Sequence, residues 1–237
     1  MKRVVVAMGI LLIVLLMACV STAEQTAEEG AITSYEVKNE SYLVKEEMGL
    51  KYVSIFAEVT NTGTTNISLN DTVALVMDAE NNMITTITMM EMYPKVLDAG
   101  DTGYIYANKM IDKNKEVGSI QLNVSFQPST FYKIFKYPVE SVAFTKEKDP
   151  FGVKVYLDAT IKNEDENALF DPTILYVITE KETGKICYIN EKVLYSGVGI
   201  LPDSRVIIRN EIFGAGDIDE EKYEVKAQAY IVAMIIE

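Results

Sequence analysis

Two stretches of the chain, about a hundred residues apart, carry the same pattern. Residues 57–61 (AEVTN) align with residues 159–163 (ATIKN) at a shift of 102. The same shift pairs Ile84 with Ile186, Asp101 with Asp203 and Ile105 with Ile207 without a gap. The closing segments, 120–124 and 225–229, match after a three-residue insertion. This repeat predicts two modules of similar fold, each near the usual size of a domain.

Within each module the apolar residues recur with a period of two, which is typical of half-buried β-strands. Residues 52–59 (YVSIFAEV) and 154–161 (KVYLDATI) show this alternation. Turn-forming clusters rich in Asn, Asp, Glu and Gly separate such runs. The predicted strands are 31–38, 51–61, 72–79, 83–90, 102–109 and 119–127, with 42–45 as a candidate extra strand, then 139–145, 153–163, 173–180, 186–194, 204–212 and 223–233. We therefore predict an all-β fold of two tandem antiparallel sandwiches, with at most one helical turn near 215–222.

The amino terminus has the pattern of a secretory signal. Lys2 and Arg3 precede an apolar run, residues 4–18, that is shorter than the roughly twenty residues a transmembrane helix needs. Residues 16–19 (LMAC) resemble the lipobox of bacterial lipoproteins. That resemblance implies cleavage after residue 18, acylation of Cys19 and a lipid anchor at the extracytoplasmic face of a membrane. A plain signal peptide cleaved nearby and an uncleaved amino-terminal anchor are the alternatives.

Residues 20–30 (VSTAEQTAEEG) are polar and acidic, so we expect a flexible tether there, with modules at 31–136 and 137–237. The net charge of the chain is −13. Removal of Lys2 and Arg3 with the signal leaves about −15, which repels phosphate backbones and anionic headgroups. Nucleic acid is therefore not expected as a partner, and the lipid must hold the protein at the membrane.

The chain contains no histidine, which excludes Ser-His and Cys-His nucleophile pairs and imidazole metal ligands. After Cys19 the only cysteine is Cys187, in an alternating segment, so we expect a buried structural thiol and no disulfide. No phosphate-binding loop, nucleophile elbow or calcium loop is present. The acidic segments 164–166 and 217–221 are interpreted as solvated charge. We expect no catalysis, no cofactor and no bound metal.

Three turn motifs support a family resemblance. They are Val-x-Asn-x-Gly at 59–63, a strand end followed by an acidic turn at 77–81, and Leu-x-x-Gly-Asp at 97–101. In these motifs the chain resembles the FxLYD-type immunoglobulin-like modules of bacterial surface lipoproteins. The resemblance implies immunoglobulin-like sandwiches and an extracytoplasmic interaction or accessory role with no assigned reaction.

Two groups of residues are candidates for a partner surface. They are Met89, Met90, Met92 and Tyr93, and the aromatic pair Phe131 and Tyr132. Methionine is pliable at binding surfaces, but we favour packing at the core edge for the methionines. The function we predict is binding, with the ligand unidentified. A structural or envelope-assembly scaffold is the alternative.

Overall fold

The computed structural model describes residues 25–26, 31–150, 152–194, 197, 199–212 and 220–234. These residues form antiparallel β-sheets without a helix, so the predicted all-β fold is confirmed. Accordingly, this part of the chain contains no helix of the length and hydropathy needed to cross a bilayer. The predicted signal peptide, Cys19 and the acidic segment 217–219 lie outside the described residues.

The first sandwich is built from strands β1 to β10. They are β1 Gln25–Thr26, β2 Ile32–Thr33, β3 Tyr35–Glu47, β4 Leu50–Asn61, β5 Ile67–Met77, β6 Met83–Ile87, β7 Glu91–Tyr93, β8 Val96–Leu97, β9 Thr102–Ile111 and β10 Ser119–Pro128. One sheet, called the first inner sheet, has the strand order β3-β4-β9-β7. The first outer sheet has the order β10-β5-β6, with β8 also paired to β5, and β1 pairs with β2.

The second sandwich is built from strands β11 to β17. They are β11 Tyr132–Tyr137, β12 Val139–Asp149, β13 Gly152–Lys162, β14 Thr173–Glu180, β15 Ile186–Val193, β16 Arg205–Ile212 and β17 Tyr223–Met234. The second inner sheet has the order β11-β17-β14-β15, and the second outer sheet has the order β12-β13-β16. The predicted module boundary, near Tyr137, lies at the end of β11.

Each sandwich buries its own core between its two sheets, as the alternation predicts. In β4 the alternate residues Val53, Ile55, Ala57 and Val59 are buried, and in β13 Val155, Leu157, Ala159 and Ile161 are buried. They pack against apolar residues of the opposite sheet. Two predicted strands, 31–38 and 42–45, are joined into β3, with a register shift between Lys38 and Ser41. The edge strand β11 was not predicted.

The repeat holds in the structure, but its shift is not constant. Val37 pairs with Val59 and Val139 pairs with Ile161, a shift of 102. Ala57 pairs with Ile105, however, and Ala159 pairs with Ile208, so from β6 to β9 the shift is 103. Three gapless alignments were therefore wrong: Ile84 with Ile186, Asp101 with Asp203, and Ile105 with Ile207. The turn between β14 and β15 is one residue longer than the turn between β5 and β6, which moves the register.

A buried asparagine fixes the same loop in both sandwiches. The side-chain amide of Asn61 donates to the carbonyl oxygens of Thr65 and Leu97, at 2.8 and 3.0 Å, and its Oδ1 accepts the N–H of Gly63. Asn163 repeats the arrangement, donating to Asn167 and Ile200 and accepting from Asp165. Both asparagines are fully buried. Their amides supply hydrogen bonds that the loop backbone would otherwise lack.

The two sandwiches pack on each other through their inner sheets and share a third apolar core. Its buried residues are Phe56, Val96 and Tyr104 from the first sandwich and Ile134, Leu175, Val177, Ile186, Ile189 and Tyr230 from the second. Ser41 Oγ donates to the Ile186 carbonyl across the contact at 2.8 Å. Strand β14 is consequently buried on both faces, and none of residues 174–178 is more than 2% exposed.

The first inner sheet and the second outer sheet occupy equivalent positions in the repeat. They differ in the side chains on their surfaces, which are aromatic in the first and charged in the second. In the first, Phe56 pairs with Tyr106, and their rings stack with centroids 5.6 Å apart. In the second, the equivalent pair is Asp158 and Arg209, which form an ion pair at 2.8 Å. The Arg209 guanidinium holds the pKa of Asp158 below its usual value. The face of the first inner sheet is therefore covered by the second sandwich, whereas the equivalent face of the second outer sheet is charged and exposed to solvent.

The buried asparagines give a test of the fold. We expect Asn61→Ala to lower the free energy of unfolding by about 2 kcal/mol or more, because it removes the hydrogen bonds that the side chain donates to the Thr65 and Leu97 carbonyl oxygens and accepts from Gly63. Urea denaturation followed by circular dichroism measures this. Asn123→Ala, at an exposed position of β10, is the control and should change stability by less than about 0.5 kcal/mol. Equal losses in the two variants would contradict the role assigned to Asn61.

The shared core gives a second test. Leu175→Ala should lower stability by roughly 2–5 kcal/mol, the usual cost of truncating a fully buried leucine. Because both sandwiches contribute residues to the shared core that contains Leu175, we expect them to unfold in one transition in the wild-type chain. Far-ultraviolet circular dichroism and tyrosine fluorescence should give coincident curves. Two separated transitions in the wild-type chain would show that the sandwiches fold independently.

Candidate functional site

The predicted methionine surface is divided between the core and solvent. Met92 lies in β7 and is buried in the first core, and Met90 is partly buried against the same core. Met89 is 87% exposed. Tyr93, at the end of β7, packs against the shared core, and its hydroxyl donates to Glu91. The structure therefore does not bring these four residues together as one exposed surface, and a partner role for them stays a prediction.

The aromatic pair Phe131 and Tyr132 lies where the chain passes from the first sandwich to the second. Phe131 is 69% exposed, and Tyr132, the first residue of β11, is also exposed. β11 is an edge strand that pairs with β17 alone in the described part of the chain, with Tyr132 opposite Met234. Met234 is exposed as well. Large apolar side chains thus remain in contact with solvent at the junction of the sandwiches.

A groove of about 660 Å³ opens at this junction. We call it the junction groove. It is lined by Ser68, Lys95 and Val96 of the first sandwich and, in the second, mainly by Tyr132, Phe170, Asp171, Glu191 and Tyr230. Small-molecule sites are commonly concave, largely apolar and placed between domains, with a few polar groups to orient the ligand. The junction groove has all of these properties.

Two groups of the groove are joined by a hydrogen bond. The hydroxyl of Tyr230 donates to Oε1 of Glu191. Both side chains project from the second inner sheet, Tyr230 from β17 and Glu191 from β15, on either side of β14. Burial raises the pKa of Tyr230, and the neighbouring Glu191 carboxylate raises it further. The phenol therefore stays protonated as a donor, and it holds the carboxylate in place beside the groove.

A second cleft between the sandwiches contains the cysteine. This cleft, about 250 Å³, is lined by Tyr106, Cys187, Tyr188 and other residues of both inner sheets. The thiol of Cys187 lies 3.4 Å from the Ile178 carbonyl oxygen, and burial raises its pKa to about 11. A thiol with so high a pKa carries little nucleophilic thiolate at neutral pH. Cys187 is partly buried at the edge of the second core, whereas we expected a buried thiol, and its structural role stays a prediction.

A third cavity, about 420 Å³, lies along β11. It contains the ion pair of Lys136 with Asp101, which links the second sandwich to a turn of the first. Burial and the neighbouring Asp101 raise the pKa of Asp98 in that turn. No group of three or more acidic or cysteine side chains in the described ranges is arranged to hold a metal ion.

Comparisons with known proteins do not identify a family. No protein-family model matches the chain, and no match was found among curated proteins. The solved structure of red sea bream transglutaminase aligns over 84% of this chain and 31% of its own length, at 9% identity and a TM-score of 0.21. This chain thus spans about a third of that protein. A likeness at this level carries no inference about fold or activity.

Sequence reasoning selected Tyr132 but missed the other residues of the junction groove. Phe170, Asp171, Glu191 and Tyr230 come from three separate segments, and only the packing of one sandwich on the other brings them near Lys95. One feature of the sequence could have indicated that the sandwiches pack on each other. Residues 174–178 (ILYVI) are apolar without alternation, which is typical of a strand covered on both faces.

Proposed function

We propose that this protein is a lipid-anchored bacterial lipoprotein that acts by binding at the extracytoplasmic face of a membrane. The lipobox resemblance at residues 16–19 supports the anchor, and the acidic tether 20–30 supports a folded body held away from the lipid. The immunoglobulin-like and FxLYD-type resemblance of the turn motifs supports an interaction module. Cys19 is the lipidation site in this proposal.

The observation that carries the binding role is the exposed aromatic surface at the junction. Phe131, Tyr132 and Phe170 are exposed beside or within a groove that both sandwiches line. Exposed apolar clusters of this kind mark interaction sites more often than isolated surface residues do. The groove offers binding contacts without a nucleophile–base pair, and the chain has no histidine. The role we propose is therefore binding rather than catalysis.

One observation favours a second candidate, a scaffold subunit. The shared core joins the sandwiches face to face, and Ser41, Asp101 and Gln228 add polar contacts across the joint. A scaffold needs such a stiff joint to transmit position between its two ends. The two roles differ in where a partner should touch the molecule, which an experiment can distinguish.

The anchor is tested by metabolic labelling. Bacteria that express the full chain and receive radiolabelled palmitate should yield a labelled protein in the membrane fraction. Cys19→Ser should be unlabelled, because the thiol is the attachment atom. Cys187→Ser, the only other cysteine, is the matched control and should keep its label. Label on Cys19→Ser, or its loss from Cys187→Ser, would contradict the proposal.

The binding surface is tested by site-specific photocrosslinking on intact membranes. A benzophenone amino acid is placed at Tyr132, at the groove, or at Met48, which is 96% exposed in the turn between β3 and β4. A third position, Ile207, samples the outer face of the second sandwich, where it is 65% exposed. A binding module should give one adduct from position 132 and none from 48 or 207. Equal adducts from all three positions would instead favour the scaffold.

A further inference from the structure

The junction groove carries negative charge that the protein does not neutralise. Asp171 and Glu191 line it. In the described part of the chain neither of these carboxylates takes part in an ion pair. Lys95 is the one cationic side chain in the groove lining, and it forms no described ion pair either. The balance of these charges is negative.

Two tyrosines near Glu191, Tyr93 and the groove residue Tyr230, are affected by the same negative charge. Burial raises the pKa of Tyr93, the hydrogen-bonded Glu91 raises it further, and Glu191 adds to the effect. The pKa of Tyr230 is raised by burial and then by Glu191. A nearby carboxylate disfavours a second negative charge, so these shifts show that the field of Glu191 reaches both rings. The same field would stabilise a cation.

Aromatic rings stand next to these carboxylates. Tyr132, Phe170 and Tyr230 line the groove, and two of the three rings are exposed. A cation within about 6 Å of an aromatic ring face is attracted by the ring electrons. The chain itself uses this contact elsewhere, with the Arg209 guanidinium 4.8 Å from the centre of the Tyr156 ring. Aromatic walls beside a carboxylate are the chemistry that recognises organic ammonium ions.

We propose that the junction groove binds a small organic cation, an ammonium head carrying an apolar body. The head would lie between the Glu191 and Asp171 carboxylates, and the body would lie along Tyr132, Phe170 and Val96. The groove volume, about 660 Å³, is in the range of small-ligand sites. The overall charge of −13 adds a long-range attraction for cations. This inference rests on the proposed binding function and names the ligand class of the same groove.

Three probes with one apolar body and different heads test this proposal. They are phenethyltrimethylammonium, phenethyl alcohol and phenylethanesulfonate, titrated calorimetrically into the polypeptide from residue 20, which keeps every described strand. We expect the ammonium probe to bind at least about tenfold more tightly than the sulfonate, because the groove carboxylates attract the first head and repel the second. Its affinity should fall as sodium chloride is raised, because salt screens the attraction.

Charge-neutralising variants locate the binding. Glu191→Gln should weaken binding of the ammonium probe about tenfold, because it removes a negative charge that attracts the head. Asp171→Asn is measured beside it, since this exposed side chain makes no described hydrogen bond and its replacement should leave folding unchanged. Glu182→Gln is the matched control, because it removes one charge from the exposed turn at the other end of β14 and should leave the affinity as in the wild type. Circular dichroism confirms that each variant is folded.

The results separate the ligand class from the binding site. Sulfonate or alcohol binding as tight as ammonium binding would overturn the cation proposal and leave the groove as a site. Ammonium binding that is unchanged by both groove substitutions would also overturn it. If no probe binds while Tyr132 still yields its crosslink, the cation proposal fails and the proposed function stands. If the crosslink is absent as well, both fail.

Discussion

The second inner sheet is covered on both faces, and the rest of the molecule depends on this. One face of β14 closes the core of its own sandwich, and the other face, through Leu175 and Val177, closes the shared core. Burying apolar surface on both sides removes any free hinge between the sandwiches. The junction groove lies beside the shared core, and residues of both sandwiches line it. Glu191 and Tyr230 of the groove are held by strands of the second inner sheet, whereas Lys95, Phe170 and Asp171 lie in the connections between strands.

The sequence predicts most of the fold because strands leave a local signal. The alternation in residues 52–59 and 154–161 predicts which side chains enter each core, and the buried residues agree. The constant shift was wrong by one residue after β5, because the length of a turn is not encoded in the apolar pattern. Asn61 belongs to the Val-x-Asn-x-Gly turn motif, and Asn163 aligns with it. Their burial and paired hydrogen bonds follow from a loop folded over them, which the alternation does not describe.

The candidate site was much less predictable than the fold. Glu191 and Tyr230 are ordinary strand residues in the sequence, and their hydrogen bond depends on strand order across β14. Asp171 and Phe170 precede β14, whereas Lys95 lies in a different module. Contacts between the sandwiches depend on which sheet surfaces pack together, and the pattern of a single sequence gives little information about this packing. The unbroken apolar run at 174–178 was the one such trace.

The exchange of Phe56 and Tyr106 for Asp158 and Arg209 gives the equivalent sheets of the two sandwiches different surfaces. Tandem repeats that stack through unlike faces have no built-in end, and an array remains soluble only if its terminal units are capped by a polar outer face. Here the ion pair of Asp158 and Arg209 provides that cap at the exact repeat position where an aromatic pair joins the first unit to the second. Without it, this design would permit a filament of sandwiches.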